Sequence, residues 1–350
     1  MNKICSMRVS ASCSDNRKSK IEKRPRRRKL AGLFAIVVAF MVCGVRAEAQ
    51  QAKLYRVGVI LPGGPYYDVI NGLRDGLREL RWEEGKHFVL ETRDTKGDLK
   101  AVDELARNLE GEKVNLIYAV TTSVTTAVKR ATANIPIVFY VGTDPVAIGL
   151  VDSFANPGGR LTGVHNRTTD LTAKRLELLR EMLPKARRVL TFYNPSNRAA
   201  DEAAKLGREE ARRVRVEFIE RHVASVEELQ KALGALKVRE VDAFLLISDA
   251  MVISQAQLII DTAITKRLPT MFHEGNLVAN GGLASYGISY HRAGRTSARY
   301  IQRILTGTDP KELPVESIEK LDLVFNLATA KKLGLTIPPN LLVRADKVIR

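Results

Sequence analysis

Six short stretches carry most of the side chains that could do chemistry. They are Thr121-Thr122-Ser123, Thr143-Asp144, Asn194 with Ser196, Ser248-Asp249, His273-Glu274 with Asn276, and Ser285-Tyr286. Each directly follows or ends an apolar run. The hydroxyls and backbone N–H groups at Thr122 and Ser123 suit an anion held at a helix start. The carboxylates of Asp144 and Asp249 suit an amine. Pro62-Gly63-Gly64, after the first apolar run, adds a turn whose backbone can approach a ligand. Taken singly, each Thr, Ser, Asp or Asn is an ordinary helix N-cap, and Asp144-Pro145 fits a cap followed by proline at the first helical position. His273 reads as a loop histidine, since no second histidine or carboxylate stands at metal-ligand spacing. Together the turns present hydroxyls, amides and carboxylates, interleaved with Tyr66, Tyr67, Tyr193, Phe272 and Tyr286. That composition fits a cleft for a small polar or aromatic molecule.

Enzyme signatures fail on inspection. The "PGGP" segment at 62–65 is not GxGxxG, and no GxxxxGK[ST] occurs, so dinucleotide and P-loop chemistry drop out. "HEGNL" is not HExxH, and there is no GxSxG elbow. No pair of carboxylates stands out for hydrolysis. The reading is a non-enzymatic protein with no cofactor and no metal.

The elements that must position these turns alternate in type. Apolar runs at 55–61, 114–120 and 135–141 read as strands, and 87–94 alternates as a half-buried one. Between them lie helical patterns, one placing Val69, Leu73, Leu77 and Leu80 on a single face. After "RLTGV" (160–164) the rhythm restarts, with strands expected at 187–193, 214–220, 241–248 and 268–273 and helices at 170–183, 199–213, 225–236 and 252–266. Repeated β-α units with short connections predict parallel sheets covered on both faces. Two such α/β lobes follow each other with no Pro/Ser-rich linker, which suits a hinged pair. In such sheets ligands bind at the carboxyl ends of strands, where the six stretches fall.

The chain has 350 residues, 45% apolar and 27% charged, the profile of a soluble globular protein. Its net charge of +17 is concentrated: residues 1–30 hold eleven Lys or Arg against Asp15 and Glu22. The rest carries no dense basic block, so nucleic acid is not an expected partner. The basic head runs into an apolar segment at 30–45 and then Ala47-x-Ala49, the three parts of a secretory signal cleaved after Ala49. The apolar segment is shorter than the roughly 20 residues that span a bilayer. Arg27-Arg28 lacks the apolar continuation of a twin-arginine signal. Cys5, Cys13 and Cys43 all precede the expected cut, leaving an exported protein without disulfides.

Several segments resemble the ABC-transporter substrate-binding family of the tryptophan/aromatic-ligand type. They are "YRVGVILPGGP", "NGLRDGLRELRWEEGKHFVLE", "IPIVFYVGTDPVAIGLVDSFANPGGRLTGV", "KRLELLREMLPKARRV", "GGLASYG" and "ATAKKLGLTIPPNLLVRADKVI", collinear over 54–350. The resemblance implies the type I periplasmic binding fold: two doubly wound α/β lobes joined by three crossovers, here near Thr162–His165, Ser285–Ser289 and Asp322–Asn326. One lobe would comprise 54–162 with 288–321, the other 163–287 with 322–350. Implied as ligand-facing are Pro62, Gly63, Gly64, Thr122, Ser123, Thr143, Asp144, Asn194, Asp249, Glu274 and Tyr286. The implied function is a periplasmic solute-binding component of an ABC importer that captures an amino acid or an aromatic or carboxylate compound. Its partners would be a permease and an ATPase, with membrane contact only through the permease. The alternative is a periplasmic sensor presenting its ligand to a membrane receptor. A carboxylate at Thr122–Ser123 and an amine at Asp144 or Asp249 is the sharper expectation. The sequence departs from the family at Thr121-Thr122-Ser123, where Gly-Thr-Pro is common, so the ligand class does not follow from the resemblance.

Overall fold

The computed structural model describes residues 53–350; the expected leader at 1–49, with its three cysteines, lies outside them. From Tyr55 the chain alternates strand and helix, as the periodicity predicts. In order come β1 (Tyr55–Leu61), α1 (Tyr67–Glu79), β2 (Phe88–Asp94), α2 (Val102–Gly111), β3 (Leu116–Val120), α3 (Thr122–Ala131), β4 (Ile137–Val141) and β5 (Leu161–His165). Every residue of β3, β4 and β5 is buried, as strands covered on both faces must be. Val57, Val59 and Leu61 of β1 pack with α1, while Ile60 packs with α2 and α3 on the other face.

The second series is α4 (Thr172–Met182), β6 (Arg188–Tyr193), α5 (Arg198–Val214), β7 (Glu217–His222), α6 (Val226–Ala235), β8 (Ala243–Leu245), α7 (Ala250–Ser254), α8 (Ala256–Lys266), β9 (Thr270–Phe272), α9 (Gly275–Ala279) and β10 (Ala284–Gly287). Then follow α10 (Tyr290–Leu305), β11 (Glu316–Ser317), β12 (Asp322–Asn326), α11 (Leu327–Leu333), α12 (Pro339–Val343) and β13 (Lys347–Ile349).

Two sheets result. One has the order β11-β5-β4-β3-β1-β2, the other β13-β12-β10-β9-β8-β6-β7. All pairings are parallel except β10 with β12. The chain changes sheet three times: after β5, after β10 and between β11 and β12. These are the three crossovers of a two-lobed type I periplasmic binding fold. β5 stays paired with β4 through His165, so the division expected at 162/163 falls inside a strand of the first sheet.

The helix expected over 252–266 is broken at Gln255 into α7 and α8. The break lies where the first lobe comes close: a Cβ added at Gly64 would stand 2.3 Å from the Ser254 carbonyl oxygen. Ser254 Oγ also donates to the Met251 carbonyl at 2.6 Å, turning the last α7 residues back on themselves.

Candidate ligand-binding cleft

The carboxyl ends of both sheets face each other across a cleft. Its inner part is a cavity of about 40 Å3 walled by Tyr66, Thr121, Thr122, Ser123, Tyr140, Gly142 and Thr143 from the first lobe. Tyr290, at the start of α10, completes that side. Asn197, Ala199, Ser248, Ala250, Ile253 and His273 come from the second lobe, and Thr168 and Thr169 from the first crossover. Beyond Thr122, Ser123, Thr143, Thr169, Asn197 and Ala199, which border both spaces, the cleft widens into a groove of about 720 Å3.

The threonines on the first-lobe side are held by α3. Thr121 caps the helix through Oγ1, which accepts from Val124 N at 3.4 Å. Thr122 Oγ1 and Thr143 Oγ1 share a hydrogen bond of 3.1 Å across the neck. Ser123 Oγ donates to Asn197 Oδ1 at 3.2 Å, bridging the two lobes directly. A second bridge runs from Asn276 Nδ2 to Asp68 Oδ2 at 2.6 Å.

Thr121 adopts φ 92°, ψ 157°, a region that essentially only glycine occupies without strain and that costs a residue with a Cβ about 1–3 kcal/mol. The glycine common to the resembling family at this turn is thus explained by backbone geometry. Replacing Thr121 by glycine removes a weak cap and adds unfolded-state entropy, each worth less than the strain. Thr121→Gly is expected to raise the unfolding free energy by about 1 kcal/mol. A urea titration giving an unchanged or lower value would refute this.

The hinge side of the cavity is built from aromatic and buried polar groups. Tyr66 and Tyr290 stack at 5.0 Å, and Tyr140 meets Tyr290 edge-on at 6.0 Å. Burial raises the pKa of all three phenols, so they stay protonated. Asn166 Nδ2 donates to Tyr140 Oη at 2.8 Å, and His273 Nε2 meets Tyr290 Oη at 2.5 Å. Burial, with the nearby Arg175 charge, pushes the His273 pKa down to about 3, leaving a neutral ring.

Arg175 is fully buried on α4. Its Nη1 donates to the Thr168 carbonyl at 3.0 Å and its Nε to the Tyr286 carbonyl at 2.7 Å, so one guanidinium ties the first crossover to the end of β10. Burial lowers its pKa to about 9, still protonated at neutral pH.

Of the residues expected to face a ligand, Thr122, Ser123 and Thr143 line the inner cavity, and Thr122, Ser123, Thr143, Asp144 and Asn194 line the outer groove. Pro62, Gly63, Gly64, Asp249, Glu274 and Tyr286 line neither. The reasons are local. Asp144 Oδ1 accepts from Val146 N and Ala147 N, and so caps its own turn. Asp249 is fully buried: Oδ1 accepts from Val252 N at 3.1 Å and Oδ2 from Asn194 N at 2.9 Å. It fixes the α7 start against the β6 turn instead of facing the cavity. Glu274 caps α9 through Asn276 N at 2.7 Å, and burial raises its pKa to about 7. Tyr286 packs on the second-lobe core. Gly63 and Gly64, at φ 84° and 57°, shape the turn into α1 and let Ser254 come close.

Sequence reasoning passed over Thr168, Thr169, Asn197, Tyr140 and Tyr290 as lining residues. The segment "HNRTTD" follows a strand as the other turns do, and the same rule reaches Thr168 and Thr169. Arg175 carries its own signal: it falls on the helical stripe of Leu178, Leu179 and Met182, a cation on a buried face.

Comparison with known proteins places this geometry in context. A family model described as ABC transporter substrate binding protein matches residues 56–349. A tyrosine-binding protein of Clostridioides difficile (strain R20291) is 26% identical over 266 residues, 75% of this chain and 76% of that protein. A solved structure of a conserved domain protein from Vibrio cholerae has a TM-score of 0.75 at 28% identity, covering 85% of this chain and 99% of that one. The ABC domain of a streptococcal protein in complex with L-Trp has a TM-score of 0.74 at 24% identity, covering 85% of this chain and all of its own, a likeness of fold.

Proposed function

The chain belongs to the ABC transporter substrate binding protein family over residues 56–349, and from that premise we propose that it is the extracytoplasmic solute-binding component of an ABC importer. As a substrate-binding protein it is not an enzyme. In this reading it captures a small ligand, an amino acid or an aromatic or carboxylate compound, between its lobes. It then delivers the ligand to a membrane permease driven by an ATPase. The aromatic part of the reading draws on the C. difficile relative, a tyrosine-binding protein by name.

The observation that carries the proposal is a cavity walled from both lobes and from a crossover, with Ser123 and Asn197 joined across it. A ligand touching both walls adds contacts only in the closed arrangement and so shifts an open–closed equilibrium toward closure. Thr122, Ser123 and Thr143 are the proposed inner contacts, with Asp144 and Asn194 at the groove. Asp249, Glu274, Tyr286 and the Pro62-Gly63-Gly64 turn hold the walls in place behind them.

Native mass spectrometry of the chain purified from rich medium, followed by denaturation, tests the reading. A single small molecule released intact is expected. Release of a chemically altered product, or no binding of any compound in a subsequent thermal-shift screen of amino acids and aromatic acids, would refute it.

A further inference from the structure

Arg175 is a fully buried cation that makes no ion pair among the described residues. Burying an unpaired charge is costly, and proteins normally place a counter-ion beside it. Here the guanidinium meets two backbone carbonyls, while its Nη2 has no hydrogen-bond partner among the described residues. It stands directly behind the cavity wall, bonded to Thr168 and electrostatically coupled to Tyr290, Tyr140 and His273.

The wall in front of it has the same bias. Thr168 Oγ1, Ser248 Oγ and His273 Nδ1 are buried and without partners, and all three residues line the cavity. Thr168 and His273 are only 6% and 1% exposed. His273 Nε2 and Tyr290 Oη share a hydrogen bond, which leaves Nδ1 of the neutral ring as the unpartnered nitrogen. Two hydroxyls, one ring nitrogen and a guanidinium are therefore gathered on one side. Among the described residues, no Asp, Glu, Lys or Arg lines the inner cavity. Asp249 uses both oxygens, and Glu274 its Oε2, to accept backbone N–H groups.

From this we propose that the ligand is a carboxylate lacking an ammonium group, seated with its anionic end on the hinge side of the cavity. There it accepts hydrogen bonds from the Thr168 and Ser248 hydroxyls, and Arg175 supplies the countercharge. The body of the ligand extends past Thr122 and Thr143 toward the groove. The inference rests on the capture reading above and narrows it: a zwitterionic amino acid would bury its ammonium in an inner cavity that no carboxylate lines. Because Arg175 also joins two crossovers, ligand charge at this point acts on the hinge itself.

Calorimetric titration of the purified chain with 3-(4-hydroxyphenyl)propionate, L-tyrosine and tyramine separates the possibilities. The deaminated acid is expected to bind about ten-fold or more tightly than L-tyrosine, and tyramine not at all. Ser248→Ala and Thr168→Val, which leave the Arg175 backbone contacts intact, should each weaken the acid several-fold, and Arg175→Gln should weaken it further if that variant folds. L-Tyrosine binding as tightly as the acid, or more so, would overturn the inference while leaving capture in the cleft standing. If none of the three binds, the molecule released in native mass spectrometry decides: an acid without an amine upholds the inference, and a zwitterion or cation overturns it. No released molecule together with no titration would overturn both readings.

Discussion

Gly294→Ala is expected to destabilise the protein by about 3 kcal/mol or more, although Gly294 itself lines neither the cavity nor the groove. Helices α1 and α10 meet backbone to backbone. A Cβ added at Gly294 would lie 1.7 Å from the Val69 carbonyl oxygen and 2.7 Å from Leu73 N. From the other side, a Cβ at Gly72 would lie 1.9 Å from the His291 carbonyl oxygen, and one at Gly76 would lie 2.7 Å from Ala298 Cβ. Small residues four apart on each helix form the groove into which the other settles. No rotamer change relieves a methyl pressed on main chain, so the helices must separate and the buried surface between them must loosen. The exposed ion pair across this seam, Arg295 with Glu79, is too weak to compensate. Gly234→Ala in α6 is the control: nothing lies within 4 Å of its Cβ, and helix propensity favours the change by about 0.5–1 kcal/mol. Urea midpoints in which the two substitutions behave alike would refute the close-contact account. α10 is also the element that returns the chain to the first lobe, so the Gly294 variant should bind ligand less tightly as well.

Substituting His273 by glutamine should expose a pH dependence that the native protein conceals. His273 has a folded pKa of about 3 against 6.5 when unfolded, so between those values the unfolded chain binds the extra proton. Its contribution to stability therefore rises as pH rises through that window. Glu274 has a folded pKa of about 7 against 4.5, so between those values the folded chain holds the extra proton and stability falls as pH rises. Across the shared window of 4.5 to 6.5 the two neighbouring residues nearly cancel. In the His273→Gln protein the Glu274 contribution stands alone, and stability should drop by roughly 3 kcal/mol from pH 4.5 to pH 7 relative to the native profile. Glu274→Gln should do the reverse, gaining stability with pH up to 6.5. Denaturation midpoints measured across pH 4.5–7 for the three proteins check this. Parallel profiles would mean that neither group is held as buried as the geometry shows.

These two residues also mark where sequence reasoning ran short. His273-Glu274 was legible as a post-strand turn, yet nothing local says that one side chain meets Tyr290 on another lobe while the other caps α9. Asp249 is the plainest case. A carboxylate after a strand reads equally as a ligand contact or a helix cap, and the choice depends on whether its oxygens meet N–H groups or open space. In the fold, Asn194 N arrives from the next strand and claims one oxygen. Thr122, Ser123 and Thr143 remained as lining residues because their turns stand at the mouth of the first sheet, where no neighbouring loop covers them.

The sequence by itself determined the alternation of strands and helices, the two parallel sheets, and the ends at which a ligand must sit. Those follow from side-chain periodicity and from the geometry of β-α connections, which are local. Only the tertiary structure decided which turn residues face the cavity, that Thr121 takes a backbone conformation suited to glycine, and that Arg175 lies buried without a counter-ion among the described residues. Each of those depends on atoms brought together from distant parts of the chain. Burial, which shifts the pKa of His273, Glu274 and Arg175, is a property of the whole packed molecule and not of any segment of it.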